Sequence, residues 1–228
     1  GIPAGMNITE EYIEKDLLRR MQGHGRGGRM KIEKDHAEIF SGVRHAVTLG
    51  SPISLLIKNF DWVNWEDRMA TGKPKKEHRK VSMPRPGHAD LAGVMKYGLD
   101  DIRNVLERSS ARETAMRVAI GAVCRKLLEE VGITVGSRVY QIHNIVDNTP
   151  VSNDMGLKEL NDTVDASPVR CFDKDAEKKM MDVIDEARNN GDSVGGSFEV
   201  IAKGLPYGLG TYINADGKLQ ARISQAMM

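Results

Sequence analysis

A long apolar stripe between residues 113 and 131 constrains the fold of this chain more than any other feature. Apolar side chains recur there at helical spacing, and small residues widen the stripe. Its members are Met116, Ala119, Ile120, Val123, Leu127 and Val131, with Ala115, Ala122 and Cys124 beside them. Because so wide an apolar surface needs cover, the sequence predicts a deeply buried core helix.

Shorter helices and strands are predicted on both sides of this core helix. The predicted helices cover 9–21, 173–190 and 218–228, and Thr9 and Gly191 are expected to cap the first two. The predicted strands cover 39–48, 53–58, 134–145 and 194–202. Since the order lacks the steady β-α-β rhythm of a Rossmann domain, we predict an α+β fold.

The composition excludes several classes of protein. A chain of 228 residues with 40% hydrophobic and 29% charged residues is typical of a globular domain. Lys and Arg exceed Asp and Glu by only 33 − 32 = 1, so global charge does not favour a polyanion or a membrane surface as partner. Two cysteines without metal-ligand spacing predict neither a disulfide scaffold nor a metal site, and they favour the cytoplasm.

The first candidate site is a glycine-rich bend that follows the first helix. Its basic residues are Arg19, Arg20, Arg26, Arg29 and Lys31. Glycines allow close approach of the backbone to a ligand, and guanidinium groups bind phosphate or carboxylate with two hydrogen bonds. Two alternatives stay open: an Arg/Gly patch for nucleic acid, and a solvated loop whose arginines pair with nearby carboxylates.

The second candidate site is the Arg-Pro-Gly-His-Ala-Asp segment at 85–90. Two constrained residues precede His88, which is predicted to lie at the start of a helix. An imidazole in this place can act as an acid or stabilise a developing anion. The alternative is a histidine with a purely structural role.

The third candidate site is the segment 103–114, which leads into the core helix. Ser109 or Ser110 can cap that helix, and Arg108 and Arg112 share one face if the turn between them is helical. A capping box without a ligand is the alternative. Because three separate segments place arginine beside glycine, proline or serine in a nearly neutral chain, we expect the arginines to converge on a small, heavily anionic substrate.

The motifs in these segments resemble the chorismate synthase family. The matching segments are Gly-Ile-Pro-Ala-Gly at 1–5, Gly-Arg-Gly-Gly-Arg-Met at 25–30, Arg-Pro-Gly-His-Ala-Asp at 85–90, Arg-Ser-Ser-Ala-Arg-Glu-Thr-Ala at 108–115, Asp-Ser-Val-Gly-Gly at 192–196 and Gly-Leu-Pro-Tyr-Gly-Leu-Gly at 204–210. They occur in the family's order along the whole chain.

The resemblance implies a lyase of the shikimate pathway. Enzymes of this family convert 5-enolpyruvylshikimate 3-phosphate to chorismate and phosphate by a 1,4-anti elimination. They require reduced FMN although the reaction has no net redox change. The substrate carries one phosphate and two carboxylates, which suits a site with several guanidinium groups.

The resemblance also assigns roles to individual residues. The substrate's anionic groups would be held by Arg20, Arg26, Arg85 and Arg112. The flavin contacts would come from Arg108, Ser109, Ser110 and His88. The imidazole of His88, beside the reduced ring, would be the catalytic group. Arg20 and Arg26 also match positions that the family uses for NADPH, which makes NADPH a candidate reductant.

The family's fold is a β-α-β sandwich of helices between antiparallel sheets, assembled as a homotetramer. We expect residues 1–228 to form a single domain of this kind, incomplete because it is truncated at both ends. The family's Gly-Glu-Ser-His-Gly and Arg-Ser-Asp motifs are absent from the printed sequence, so this fragment alone is expected to be inactive. The alternatives are a non-catalytic fragment and an Arg/Gly-mediated nucleic-acid-binding module.

Overall fold

The structure, a computed structural model, describes residues 2–27 and 34–228. The chain divides into two compact units, 1–126 and 127–228. The expectation of a single domain over 1–228 stays a prediction.

The first unit contains short helices and two small antiparallel sheets. Its elements are α1 (Glu10–Met21), β1 (Ala37–Ser41), β2 (Val43–Arg44), β3 (Val47–Thr48), β4 (Ser54–Ile57), a 3₁₀ helix (Phe60–Asn64), α2 (Asp90–Tyr97), α3 (Arg103–Ser109) and the greater part of α4 (Arg112–Glu130). Strand β1 pairs with β4, and β2 pairs with β3.

The first predicted helix is confirmed as α1. The Thr9 hydroxyl accepts a hydrogen bond from the Tyr12 amide at 3.2 Å and so caps its first turn. Ile13 and Leu17 are fully buried, and Arg19 and Arg20 lie in the last turn. The apolar stripe thus faces the core, while the basic residues lie at the helix end where the dipole favours positive charge.

The prediction of one strand over 39–48 is wrong. Strand β1 ends at Ser41, and β2 and β3 form a separate hairpin with His45 and Ala46 as its two-residue loop. Both loop residues have positive φ, 52° and 62°, as a tight hairpin of this length requires. His-Ala is not the Asn-Gly pair that usually indicates such a turn, which is why the sequence did not predict the break.

We expect Gly42→Ala to destabilise the chain by about 2 kcal/mol or more. Gly42 has a φ of +83°, and an added Cβ would lie 2.5 Å from the Pro52 carbonyl oxygen. Gly121→Ala is the matched control, because Gly121 lies in α4 and an added Cβ would meet no described atom within 4 Å apart from its own helix backbone and chain neighbours. The control should stabilise the helix by about 0.5–1 kcal/mol. Urea unfolding measures both changes, and shifts of the same sign would contradict the expectation.

The core helix is confirmed as α4, but the prediction of its buried face is partly wrong. The buried side chains are Ala115, Ala119, Ala122 and Val123. Ile120 is 51% exposed and Cys124 is also exposed. Small residues let neighbouring segments approach the helix closely, so they fill the covered side although they are less apolar than isoleucine.

The second unit contains one three-stranded sheet and three helices after the end of α4. Its elements are β5 (Thr134–Ile142), β6 (Ile145–Val146), α5 (Leu157–Asp165), α6 (Lys174–Asn190), β7 (Gly196–Lys203) and α7 (Leu219–Met227). The strands are antiparallel in the order β6-β5-β7. Helix α5, which the sequence analysis did not predict, packs its buried Leu157 and Leu160 close to Gly136 of β5.

Helix α6 confirms the predicted boundaries of the helix over 173–190. The Asp173 carboxylate accepts hydrogen bonds from the Asp175 and Ala176 amides at 2.8 and 3.1 Å. Gly191 ends the helix in the left-handed conformation with a φ of +68°.

Short helices beside small antiparallel sheets confirm the α+β class. Over the described residues, no helix combines the length and apolar character that a membrane span requires.

Candidate functional site

A buried carboxylate joins two of the arginines that were predicted to bind substrate. The Asp35 side chain is only 1% exposed. Arg20 Nη1 donates to its Oδ2 at 3.0 Å, and Arg112 Nη1 donates to its Oδ1. The structure therefore brings together a residue at the end of α1 and a residue at the start of α4 through an acid that precedes β1.

Further hydrogen bonds fix both guanidinium groups. Arg20 donates from Nε and Nη2 to Thr114 Oγ1 at 3.2 and 3.0 Å, and from Nη2 to the Ala111 carbonyl at 3.0 Å. Arg112 Nη2 donates to the Lys58 carbonyl at 3.0 Å, just beyond β4. Four segments of the first unit thus meet here: the end of α1, the segment before β1, the residue after β4 and the start of α4. We call the side chains of Arg20, Asp35, Arg112 and Thr114 the Asp35 cluster.

Two guanidinium groups of the Asp35 cluster, those of Arg20 and Arg112, share the single Asp35 carboxylate. The side chains of Arg20 and Arg112 are only 12% and 16% exposed. Guanidinium groups that have so little contact with water interact strongly with nearby anionic groups.

The junction between α3 and α4 is not a continuous helical turn. Ser110 has extended backbone angles, φ −70° and ψ 142°, and separates the two helices. Its Oγ accepts from the Arg112 amide at 3.3 Å, so the predicted serine cap of α4 is confirmed. Because Ser110 is extended, the turn between Arg108 and Arg112 is not helical, and the condition under which they would share one helical face is not met.

The same junction carries polar groups that a ligand could contact. Ser109 Oγ is buried and has no hydrogen-bond partner among the residues that the structure describes. A buried hydroxyl without a partner costs free energy that a bound polar ligand would recover. Arg108 lies in the last turn of α3 and is exposed. The junction therefore offers one unsatisfied hydroxyl and one exposed guanidinium to a polar ligand.

A second ion pair organises the segment that begins α2. Arg85 donates from Nε and Nη2 to the two carboxylate oxygens of Asp90 at 2.8 and 2.9 Å, and its own amide donates to Oδ2 at 2.9 Å. The Asp90 side chain is fully buried. These bonds from the Arg85 guanidinium and amide hold the pKa of the Asp90 carboxyl well below its usual range.

We expect this pair to make the stability of the chain depend on acid pH. Because the pKa of Asp90 is lower in the folded state, its contribution is complete above the unfolded value of about 4 and is lost as pH falls below it. Asp90→Asn should therefore be less stable than the unsubstituted chain at pH 7, and the gap should narrow below pH 4. Urea unfolding from pH 7 to 2 measures this, and a gap that stays constant would contradict it.

His88 lies two residues before the first residue of α2, as predicted. Its side chain is exposed, and Nδ1 is 2.9 Å from the Pro86 carbonyl oxygen. Since a carbonyl oxygen only accepts, Nδ1 carries the hydrogen of this bond. In the neutral imidazole, Nε2 therefore holds the lone pair and can accept a proton from outside the turn.

The other predicted site residues have varied positions. Arg26 is exposed, and Arg29 and Lys31 lie outside the described residues. Arg103 donates from Nε to Asp101 Oδ1 at 2.9 Å and from Nη2 to the Arg79 carbonyl at 3.2 Å. These two bonds give Arg103 a structural role. The bonds described above form two groups, one around Asp35 and one around Asp90. The prediction that all four substrate arginines share one site stays a prediction.

The two acids at the centres of these groups were missed by the sequence analysis. Asp35 ends the charged run Lys-Ile-Glu-Lys-Asp, which is typical of a solvated surface. Asp90 is the last residue of the Arg-Pro-Gly-His-Ala-Asp motif, in which only Arg85 and His88 were predicted to have a role. An acid close in sequence to a conspicuous arginine is a signal that could have indicated the pairing of Asp90, whereas Asp35 meets Arg112 only through the tertiary fold.

The structure is that of an α+β protein whose first unit contains two groups of arginine and buried aspartate. The family profile described as chorismate synthase matches residues 1–228. The chain belongs to the chorismate synthase family.

Individual relatives agree with this assignment. The chain is similar to the chorismate synthases of Listeria welshimeri, with 50% identity over 231 residues, and of Bacillus subtilis, with 51% over 234. Both alignments cover 100% of this chain and 59% of the relative. A crystal structure of chorismate synthase is 39% identical, with a TM-score of 0.78 over 100% of this chain and 59% of that one. This likeness confirms the predicted chorismate synthase-like fold, and the chain spans 59% of the length of these relatives.

Proposed function

We propose that this chain is the arginine-rich part of a lyase that converts 5-enolpyruvylshikimate 3-phosphate to chorismate and phosphate. The observation that carries the proposal is the Asp35 cluster, in which one buried carboxylate fixes two guanidinium groups from distant segments of the chain. Membership of the chorismate synthase family supports the same reaction, a 1,4-anti elimination.

The substrate's charges match the arginines of the chain. One phosphate and two carboxylates need several cationic partners in a site with little water. We assign these contacts to Arg20, Arg26, Arg85 and Arg112. Arg20 and Arg112 would act from the Asp35 cluster, and Arg85 from the start of α2. Fixing the anionic groups in this way orients the ring and draws charge away from the departing phosphate.

We assign cofactor binding to the α3–α4 junction and to His88. Bound reduced FMN would supply an electron-rich ring to an elimination that has no net redox change. Ser109 Oγ, which lacks a partner among the described residues, would bond a polar atom of the cofactor, with Arg108 and Ser110 beside it. His88 Nε2 would hold or donate a proton next to the reduced ring, because Nδ1 is already bonded to Pro86.

The proposal also covers the cellular compartment, the oligomeric state, the reductant and the partners of the enzyme. We place it in the cytoplasm, in agreement with two free cysteines, Cys124 and Cys171. We further propose a homotetramer, with NADPH as a candidate reductant that Arg20 and Arg26 contact. Neither nucleic acid nor a membrane is expected as a partner, since the formal net charge is only +1.

Phosphate release tests the proposed reaction. A full-length version of the protein, carrying the N-terminal and C-terminal segments of the family, is incubated with 5-enolpyruvylshikimate 3-phosphate under anaerobic conditions. We expect phosphate release when FMN is kept reduced and none when FMN is oxidised. Equal release in both conditions would contradict the flavin requirement, and no release in either would contradict the reaction.

The 228-residue chain alone is expected to bind FMN weakly or not at all, and to be inactive. The printed sequence lacks the Gly-Glu-Ser-His-Gly and Arg-Ser-Asp motifs through which the family completes its site. A titration that follows the quenching of flavin fluorescence measures this, with the full-length version as the positive control. Binding of equal strength by the two proteins would contradict the expectation.

A further inference from the structure

We propose that Asp35 is a positioning residue, whose buried carboxylate holds Arg20 and Arg112 in the geometry that binds the substrate's anionic groups. The inference rests on the proposed function. Asp35 acts through the two guanidinium groups and does not itself contact the substrate, because its negative charge would repel phosphate and carboxylate.

The carboxylate is suited to this role because each of its oxygens takes a different arginine. Oδ2 accepts from Arg20, and Oδ1 accepts from Arg112. The Asp35 amide lies 3.4 Å from Met21 Sδ, which ties its backbone to the end of α1. A buried carboxylate with two charged partners is held in one rotamer, so it can set the separation of the two guanidinium groups.

The two arginines are ordered by the protein before any ligand binds. Arg20 uses Nε, Nη1 and Nη2 in bonds to Thr114, Asp35 and Ala111, and Arg112 uses Nη1 and Nη2 in bonds to Asp35 and Lys58. Arginine side chains in water lose much rotamer freedom on binding a ligand. Here that freedom is lost on folding, which raises the affinity for a ligand.

Charge attraction alone and the positioning role predict opposite changes in ligand affinity when the Asp35 charge is removed. Asp35→Asn removes one negative charge from the Asp35 cluster, so attraction alone would tighten the binding of an anion. If Asp35 positions the arginines, the same substitution weakens binding, because the amide cannot accept from both guanidinium groups and its NH₂ faces one of them. The sign of the change therefore separates the two roles.

Asp16 provides a matched control in the same unit. Its carboxylate, whose side chain is 11% exposed, accepts from Arg19 Nη1 at 2.9 Å and from Arg125 Nη1 at 2.7 Å. Asp16→Asn therefore removes the same kind of charge from between two arginines. Neither Arg19 nor Arg125 is among the four arginines proposed to hold the substrate, so this substitution reports the structural cost alone.

The test measures the dissociation constant for 5-enolpyruvylshikimate 3-phosphate by titration calorimetry, on the full-length version. We expect Asp35→Asn to weaken binding at least tenfold and Asp16→Asn to change it less than twofold. Thermal unfolding of both variants compares their structural cost. Unchanged or tighter binding by Asp35→Asn, or equal weakening by the two variants, would overturn the inference.

A second variant keeps the test decisive if Asp35→Asn does not fold. Thr114→Val removes the hydroxyl that accepts from Arg20 but leaves every charge in place. We expect it to weaken binding about threefold to tenfold, and unchanged binding would overturn the inference.

Turnover by the unsubstituted protein separates the two proposals. Absence of turnover contradicts the proposed function. Normal turnover with unchanged affinity in both variants contradicts only the role of Asp35.

Discussion

Replacing His88 with alanine is expected to lower kcat of the full-length version at least 100-fold without unfolding it. A positioned general acid or base contributes about 10²–10⁴-fold to a rate. The imidazole is exposed, and its described hydrogen bond goes to Pro86 within the same turn, so its loss removes no core contact. Steady-state phosphate release with reduced FMN measures the effect, and thermal unfolding monitors the fold.

His143→Ala is the control for this substitution. His143 is also exposed, and its Nδ1 lies 2.8 Å from Asn144 Oδ1 in the loop between β5 and β6. We expect less than a twofold change in kcat. If His88→Ala kept more than a tenth of the original turnover, the assignment of His88 as the catalytic group would be wrong.

Replacing Arg112 with alanine should reduce both substrate affinity and stability. The substitution leaves the buried Asp35 carboxylate with Arg20 but without its second charged partner. Removing one member of a buried ion pair costs about 3–5 kcal/mol, and the 16% exposure of Arg112 places this case near the lower end. Loss of a charged hydrogen-bond donor to phosphate should raise the dissociation constant for the substrate about 100-fold.

The matched control lies on the same helix. Arg117 donates to Glu113 at 3.3 Å as an exposed pair four residues apart. Arg117→Ala should change the free energy of unfolding by about 0.5 kcal/mol or less and leave substrate affinity within twofold. Urea unfolding and calorimetric titration measure both quantities. Similar losses for Arg112→Ala and Arg117→Ala would show that the Asp35 cluster has no special role.

Much of the local structure could be predicted from the sequence where a single segment determines it. The caps at Thr9 and Asp173, the left-handed Gly191 and the serine cap of α4 depend on residues within one turn of each other. The length of α4 followed from its apolar spacing alone. These elements need no information about distant parts of the chain.

The remainder depends on contacts between distant segments. Apolar spacing cannot tell which side of α4 is covered, so Ile120 was wrongly expected to be buried. Asp35 belongs to a run of charged residues, and only the fold places it between Arg20 and Arg112. The hairpin at His45 and Ala46 uses positive φ at residues that rarely adopt it, so local propensity did not reveal the turn.

A crystal structure of the full-length version with 5-enolpyruvylshikimate 3-phosphate and FMN tests the central claim most directly. The account predicts that Arg85 and Arg112 both lie within hydrogen-bond distance of the substrate's anionic groups, with His88 Nε2 facing the flavin. It also predicts that Arg112 keeps its bond to Asp35 in the complex. If Arg85 and Arg112 faced separate regions of solvent while the substrate bound elsewhere, the account would be contradicted.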